Sequence, residues 1–228
     1  PEAPELERRA AAMEAVALAV PGVKQVDHCG ASWSTSSAWL AASNGFAAHK
    51  TSGISSMAAL AISERDGAME RDYESTSERR RARLKSPEWV GREAALRATA
   101  RLGARKVDSQ TTAVIFENRL SARLVGAIIG AISGPAIARG VSFLKDKMGK
   151  PVLAPGVNLI DDPKRMGGFG SRAFDGEGRP VQRTALIEDG ILTQWLLNGP
   201  SARQLGLQPN GFASMGFGDP PGVTTSNR

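Results

Sequence analysis

Asn44-Gly45, Asp66-Gly67 and Asp189-Gly190 each lie between two runs of strand-forming residues. Such a pair tolerates the positive φ that a tight reversal needs, and between alternating runs it is the strongest short-range signal for an antiparallel hairpin. Residues 23–77 are therefore predicted to form an antiparallel meander of four runs. The first covers 23–43, the second starts at 46, the third is 53–63, and the fourth is 68–77. A hairpin of 181–187 with 191–197 is predicted around Glu188-Asp189-Gly190.

Helical patterns frame these strands. Leu6, Ala10, Met13, Ala17 and Val20 recur at three- and four-residue steps, so they share one helix face, and Pro21-Gly22 stops it. Ser86-Pro87-Glu88 opens a second helix, with a capping hydroxyl, a proline suited to the first turn and an acid at the positive end of the dipole. Val90, Ala94, Ala98 and Leu102 form its buried stripe, and Gly103 ends it. A short strand over 112–116 is predicted next, then a helix over 119–132 rich in Ala, Gly and Ile, broken at Pro135. From Pro151 the pattern returns to β. Short runs at 152–154 and 157–160 precede a turn at Asp175-Gly176-Glu177-Gly178. Residues 201–205 form a short helical turn, and the Gly- and Pro-rich tail 210–228 is extended or irregular. The fold class is α+β. Residues 1–107 hold an antiparallel β-meander with helices, and residues 108–228 form a β-rich C-terminal domain with one small-residue helix.

Composition removes several functional classes. With 228 residues, 41% of them hydrophobic, the chain can bury a core, and disorder throughout is excluded. The single cysteine, Cys29, excludes an intrachain disulfide and any multi-cysteine metal site. Aromatics make up 5% and form no cluster on which bases could stack. The formal charge of +6 and the basic run over 79–85 keep a nucleic-acid role open. Glu70, Asp72, Glu74 and Glu78 precede that run, which makes intrachain pairing the plainer expectation. The longest apolar stretch, 124–132, is too short to span a bilayer, so a soluble, cytoplasmic protein is expected. The chain opens at Pro1 without an initiator methionine and reads as a fragment of a longer protein.

Candidate chemistry is sparse. His28 and Cys29 are adjacent, and neighbours on a strand point to opposite faces, so His28 is poorly placed to activate the Cys29 thiol. His49 is expected to be an ordinary strand histidine rather than a metal ligand. Asp161-Asp162, before Pro163, is expected to be a turn rather than an acid–base pair. Gly167-Gly168-Phe169-Gly170-Ser171 and Gly216-Phe217-Gly218 lack the strand and helix context of a phosphate loop and read as places of positive φ or close backbone approach. No HExxH, HExxxH, GxSxG or CxxC occurs.

The run from Asp175-Gly176-Glu177-Gly178-Arg179-Pro180 through Gln182-Arg183-Thr184 and Leu186-Ile187-Glu188-Asp189-Gly190-Ile191-Leu192 resembles the TldD/PmbA family, once called modulator of DNA gyrase. So does Asn198-Gly199-Pro200-Ser201-Ala202-Arg203-Gln204-Leu205-Gly206. The resemblance implies two branches. The TldD branch carries HExxxH on a helix and acts as a zinc metallopeptidase, whereas the PmbA/TldE branch lacks it. At the matching stretch Glu117 stands for the first histidine, Asn118 for the general-base glutamate and Ala122 for the second histidine. Ala122 offers no donor and Asn118 cannot take a proton from bound water, so the chain resembles the non-catalytic branch.

That resemblance implies no catalytic, cofactor or metal residue in this chain and zinc in a TldD-type partner. It implies unfolded or flexible peptides as substrates, including peptide precursors and labile antitoxin-type proteins. Capture by strand addition to a sheet edge is the expected mode. Self-association in isolation stays open. The alternatives are a module that binds DNA or DNA gyrase, and an independent peptidase with an unrecognised site. The small residues Gly126, Ala127, Gly130 and Ala131 can serve the chain's own core or a subunit interface.

Overall fold

A computed structural model of the protein describes residues 2–214 and 222–228, so Gly216 and Gly218 lie outside the described residues. The chain divides into two compact units, one of residues 1–38 and 49–111, the other of residues 39–48 and 112–228. Residues 39–48 group with the second unit although they lie early in the chain.

The first unit contains α1 (Ala3–Leu18), most of β1 (Val23–Ala41) and of β2 (Ala47–Arg65), β3 (Ala68–Glu78) and α2 (Pro87–Ala100). The strands form one sheet in the order β1-β2-β3, with β2 antiparallel to β3 from Ser55↔Glu78 to Arg65↔Ala68. The four runs expected over 23–77 are three strands, because β2 continues unbroken through Gly53. Cross-strand hydroxyl pairs span this polar stretch, with Ser36 Oγ 3.1 Å from Ser52 Oγ and Ser37 Oγ 2.8 Å from Thr51 Oγ1.

The turns differ in kind. Asp66 and Gly67 both have positive φ, 54° and 80°, as a two-residue type I′ turn requires. At Asn44-Gly45 only Gly45 is left-handed, with φ 87°. Gly45 N donates to Ala42 O at 3.0 Å and Ala42 N to Phe46 O at 2.9 Å, which makes a three-residue loop with glycine in the left-handed position.

Alternation along β2 buries Met57, Ala59 and Ala61 under the two helices, against Met13 and Ala17 of α1 and Val90, Ala94, Ala95 and Ala98 of α2. The predicted cap is present, with Trp89 N donating to Ser86 Oγ at 3.2 Å. The Glu88 carboxyl is held below its usual range by its own backbone N–H and by Ser86. Of the four carboxylates expected to pair with the basic run, Glu70, Asp72 and Glu74 reach arginines at α2. Glu74 lies 3.1 Å from Arg97 Nε, and Arg101 lies 3.4 Å from Glu70 and 3.5 Å from Asp72. Adjacency in sequence does not favour the basic run, because it follows β3 in a short 3-10 turn (Arg81–Arg83) while α2 packs on the strand itself. Of the run, Arg81 pairs with Glu5 at 3.1 Å and Lys85 sits over the Trp89 ring.

The second unit contains α3 (Asn118–Ala131), α4 (Gly134–Ala138), β4 (Leu159–Asp161), β5 (Thr184–Glu188), β6 (Ile191–Leu192), α5 (Gly199–Leu205), β7 (Ala213–Ser214) and β8 (Gly222–Val223). The predicted hairpin is there, shorter than expected, with Ile187↔Leu192 and Glu188↔Ile191 paired and Asp189-Gly190 both at positive φ. Its sheet has the order β4-β5-β6. Residues 112–116 are not a strand. They are exposed and lie in no sheet ladder, so their β-forming composition finds no partner. Pro135 does more than end α3, since it sits in the first turn of α4, where a missing N–H costs nothing. Leu159, Leu186, Ile187, Leu192, Leu196, Phe212 and Ile132 form the second core.

Gly91 marks where α1 and α2 come closest, since a Cβ there would collide with the Met13 carbonyl. Gly91→Ala is expected to destabilise the protein by about 2–3 kcal/mol, the usual cost of overpacking a site that cannot shift. Chemical denaturation of the two proteins measures it.

Candidate functional site

The segment that opens α3 is the place where metal chemistry would have to reside. Glu117 precedes the helix, with φ −57° and ψ 143°, and α3 begins at Asn118. Positions 117 and 122 are therefore not two points on one helix face. Leu120 N and Ser121 N donate to the Glu117 carbonyl at 2.8 and 3.1 Å, which starts the helical bonding. Arg119 turns back on the Glu117 carboxylate, its Nε 2.8 Å from Oε1 and its Nη2 3.1 Å from Oε2. This two-pronged bond occupies both oxygens that a metal would use. Asn118 and Ala122 are exposed. The donor set does not fit zinc: a carboxylate already engaged, a neutral amide and a methyl. Among the described residues, no three His, Cys, Asp or Glu side chains gather closely enough to hold a metal ion.

Around this segment the surface is apolar. Ile115 is 97% exposed, and Val114, Phe116, Leu120 and Leu124 are exposed as well. The other side of α3 packs inward through Val125, Ile128 and Ile129 onto the second core. Gly126 and Gly130 make no close approach within the chain, because a Cβ on either would meet open space.

The remaining candidates resolve into structural roles. Cys29 packs against the first core, and burial, assisted by the charge of Glu14, pushes its thiol up to about 11. His28 is exposed on the same strand, and His49 is exposed on β2. Asp161 is buried, and its carboxylate accepts from Ser226 N at 2.5 Å and Ser226 Oγ at 2.8 Å. Asp162 Oδ1 accepts from Lys164 N at 3.0 Å, the turn expected there. The loop of Gly168 and Gly170 allows close approach: a Cβ on Gly168 would strike the Asn227 amide, and one on Gly170 the Ser226 carbonyl.

Arg172, Asp175 and Glu177 received no role from sequence spacing. Arg172 Nη2 donates to Thr224 O at 2.9 Å and to Gly211 O at 3.4 Å. Asp175 Oδ1 accepts from Glu177 N and Arg179 N, both at 2.9 Å, and its Oδ2 accepts from Ala213 N at 3.1 Å. Glu177 Oε1 accepts from Gly199 N at 2.8 Å at the start of α5, where Asn198 and Ser201 form a capping box. Asp175 and Glu177 flank a glycine in the turn, which was the available signal. Arg172 had none, since its partners lie 39 and 52 residues away.

Comparison with known proteins follows the same division. Residues 1–102 match the family described as the PmbA/TldA metallopeptidase central domain, and residues 109–228 match the corresponding C-terminal domain. A protein named metalloprotease PmbA from Escherichia coli O157:H7 is 42% identical over 158 residues, which are 69% of this chain and 35% of that protein. A metalloprotease PmbA homolog from Haemophilus influenzae is 34% identical over 148 residues, 65% of this chain and 33% of the other. The matched stretch thus covers about a third of the length of these relatives. A candidate modulator of a DNA gyrase from Thermotoga maritima superposes with TM-score 0.88 at 25% identity, over 99% of this chain and 51% of that one. TldE from Thermococcus kodakarensis has TM-score 0.78 at 16% identity, over 100% of this chain and 51% of that one, a likeness of fold.

Two outcomes are expected. Iodoacetamide labelling of Cys29 at pH 8 is about a hundred-fold slower than labelling of a free thiol, because little thiolate exists so far below its pKa. Asp161→Ala leaves the Ser226 donors without their acceptor, costs about 1–3 kcal/mol, and speeds hydrogen exchange at the Ser226 amide. Mass spectrometry reads both.

Proposed function

We propose that this chain, which belongs to the PmbA/TldD family of metallopeptidases, is the subunit without zinc in a two-chain peptidase. Its partner is a TldD-type chain that carries the metal. The observation that carries this reading is the opening of α3, where Ala122 and Asn118 supply neither ligand nor base and Arg119 engages the Glu117 carboxylate. The exposed group of Val114, Ile115, Phe116, Leu120 and Leu124 supports a partner surface, since contiguous exposed apolar side chains mark interaction sites.

On this reading the substrates are unfolded or flexible peptides in the cytoplasm. An extended peptide adds to a sheet through main-chain hydrogen bonds. β1, 19 residues long at the edge of its sheet, is a place where that can happen.

A DNA- or gyrase-binding module is the second reading, favoured by the charge of +6 and by the description of the Thermotoga relative. Against it, Arg81 is engaged by Glu5 and Lys85 lies over Trp89, so part of the basic run is already employed. Phosphate contacts would show as a steep loss of DNA affinity with salt.

The test is co-expression of the full-length protein with a TldD-type chain from the same genome, followed by digestion of an unfolded peptide. The chain alone is expected to cleave nothing above background. The co-purified pair is expected to cleave, and to stop when a chelator removes zinc. Chelator-insensitive cleavage by the purified chain alone would overturn the proposal.

A further inference from the structure

We infer that the solvent-facing side of the β1–β3 sheet holds a site for the C-terminal carboxylate of a peptide whose last residue is apolar. This face is opposite the one covered by α1 and α2. Ala61 and Ser63 point into the first unit and are fully buried, so Ile62 between them points outward. A trough of about 550 Å³ crosses the sheet there, lined by Lys24 and Gln25 of β1, Ile62 of β2, and Met69, Glu70 and Arg71 of β3. Ile62 lies directly opposite Arg71 in the ladder, which sets the guanidinium beside an apolar floor.

The charges around the trough differ in what they already hold. Lys24 is paired with Glu64, and Glu70 is engaged by Arg101. The Arg71 side chain makes no hydrogen bond or ion pair with any described residue. The trough therefore presents one uncommitted cation next to Ile62 and Met69. A guanidinium offers a planar fork of donors that matches a carboxylate. The volume suits a small ligand of one or two residues.

Charge complementarity selects an anion, and the lining selects which one. Ile62 and Met69 give apolar contact for one side chain, and Met69 is 61% exposed, so no closed channel exists for a long alkyl chain. The Gln25 amide can both donate to and accept from a peptide group. A peptide terminus uses all three features, whereas a fatty acid uses two. The trough is built from residues of the first unit alone, and none of its lining belongs to α3.

The test titrates the full-length protein with N-acetyl-Ala-Leu as the free acid, with the same dipeptide as its C-terminal amide, and with octanoate, read by backbone amide shifts. The free acid is expected to saturate in the millimolar range and to shift Ile62, Met69 and Arg71. The amide should bind at least about 10-fold more weakly, a difference of about 1.4 kcal/mol. Arg71→Gln should weaken the acid to the level of the amide while leaving the rest of the spectrum in place. Met69→Ser should lower the preference for a final Leu over a final Gly. Equal binding of acid and amide, acid binding unaffected by Arg71→Gln, tighter binding of octanoate, or no saturation would each overturn the inference.

Discussion

Two buried carboxylates organise the second unit. Asp161 holds Ser226, and Asp175 holds the turn at Glu177–Arg179 together with Ala213. Burying a carboxylate is costly unless its oxygens are satisfied, and these oxygens accept from main-chain N–H groups and a hydroxyl. Arg172 completes the group by reaching the carbonyls of Gly211 and Thr224. Burial lowers the pKa of its guanidinium, and the charges of Asp161 and Asp175 oppose that shift. The arrangement ties residues near 161, 175, 212 and 225 into one body, although short strands alone would hold them weakly. The chain strings that resemble the family therefore serve largely as scaffold: Asp175, Glu177, Asn198 and Ser201 all bond to main chain.

The first unit is built on the opposite principle. Its core is made of alanines, two methionines and Val90, with Gly91 where the helices touch. Close backbone approach replaces large side chains, and Arg97 and Arg101 reach the β3 carboxylates. Glu74 is buried with Arg97 beside it, whereas Arg101 is exposed and its pairs contribute little each. Within the first unit α1 and α2 cover one face of the three-stranded sheet, and Arg71 stands on the other.

What could be read in the sequence was whatever local chemistry decides. Asp66-Gly67 and Asp189-Gly190 turn as their types demand, and Ser86 caps α2 because the hydroxyl lies three residues from the N–H it accepts. The α+β class followed from those signals. The segment 112–116 has strand composition yet is no strand, because a strand exists only where a neighbour supplies hydrogen bonds, and composition does not reveal neighbours. The pairing of Glu70, Asp72 and Glu74 with α2 was invisible for the same reason: the nearer basic run is close in sequence, and α2 is close in space. At the candidate site the absence of donors at 118 and 122 was legible. The Arg119 clamp on Glu117 was not, because it depends on Glu117 standing on extended backbone just before the helix that opens at Asn118.

That starting point matters for what the segment can become. An imidazole placed at 117 would hang from extended backbone, and one placed at 122 would project from an exposed turn of α3. Arg119 would then lose its carboxylate and leave a cation beside the site. A positive charge a few ångströms from a dication opposes its binding, which a neutral added donor does not remove. The segment therefore lacks more than ligands. Its helix boundary and its nearest charge both disfavour a metal, and the free apolar side chains around it favour contact with another surface. In a fold shared with metallopeptidases, this position presents exposed apolar side chains and an engaged carboxylate.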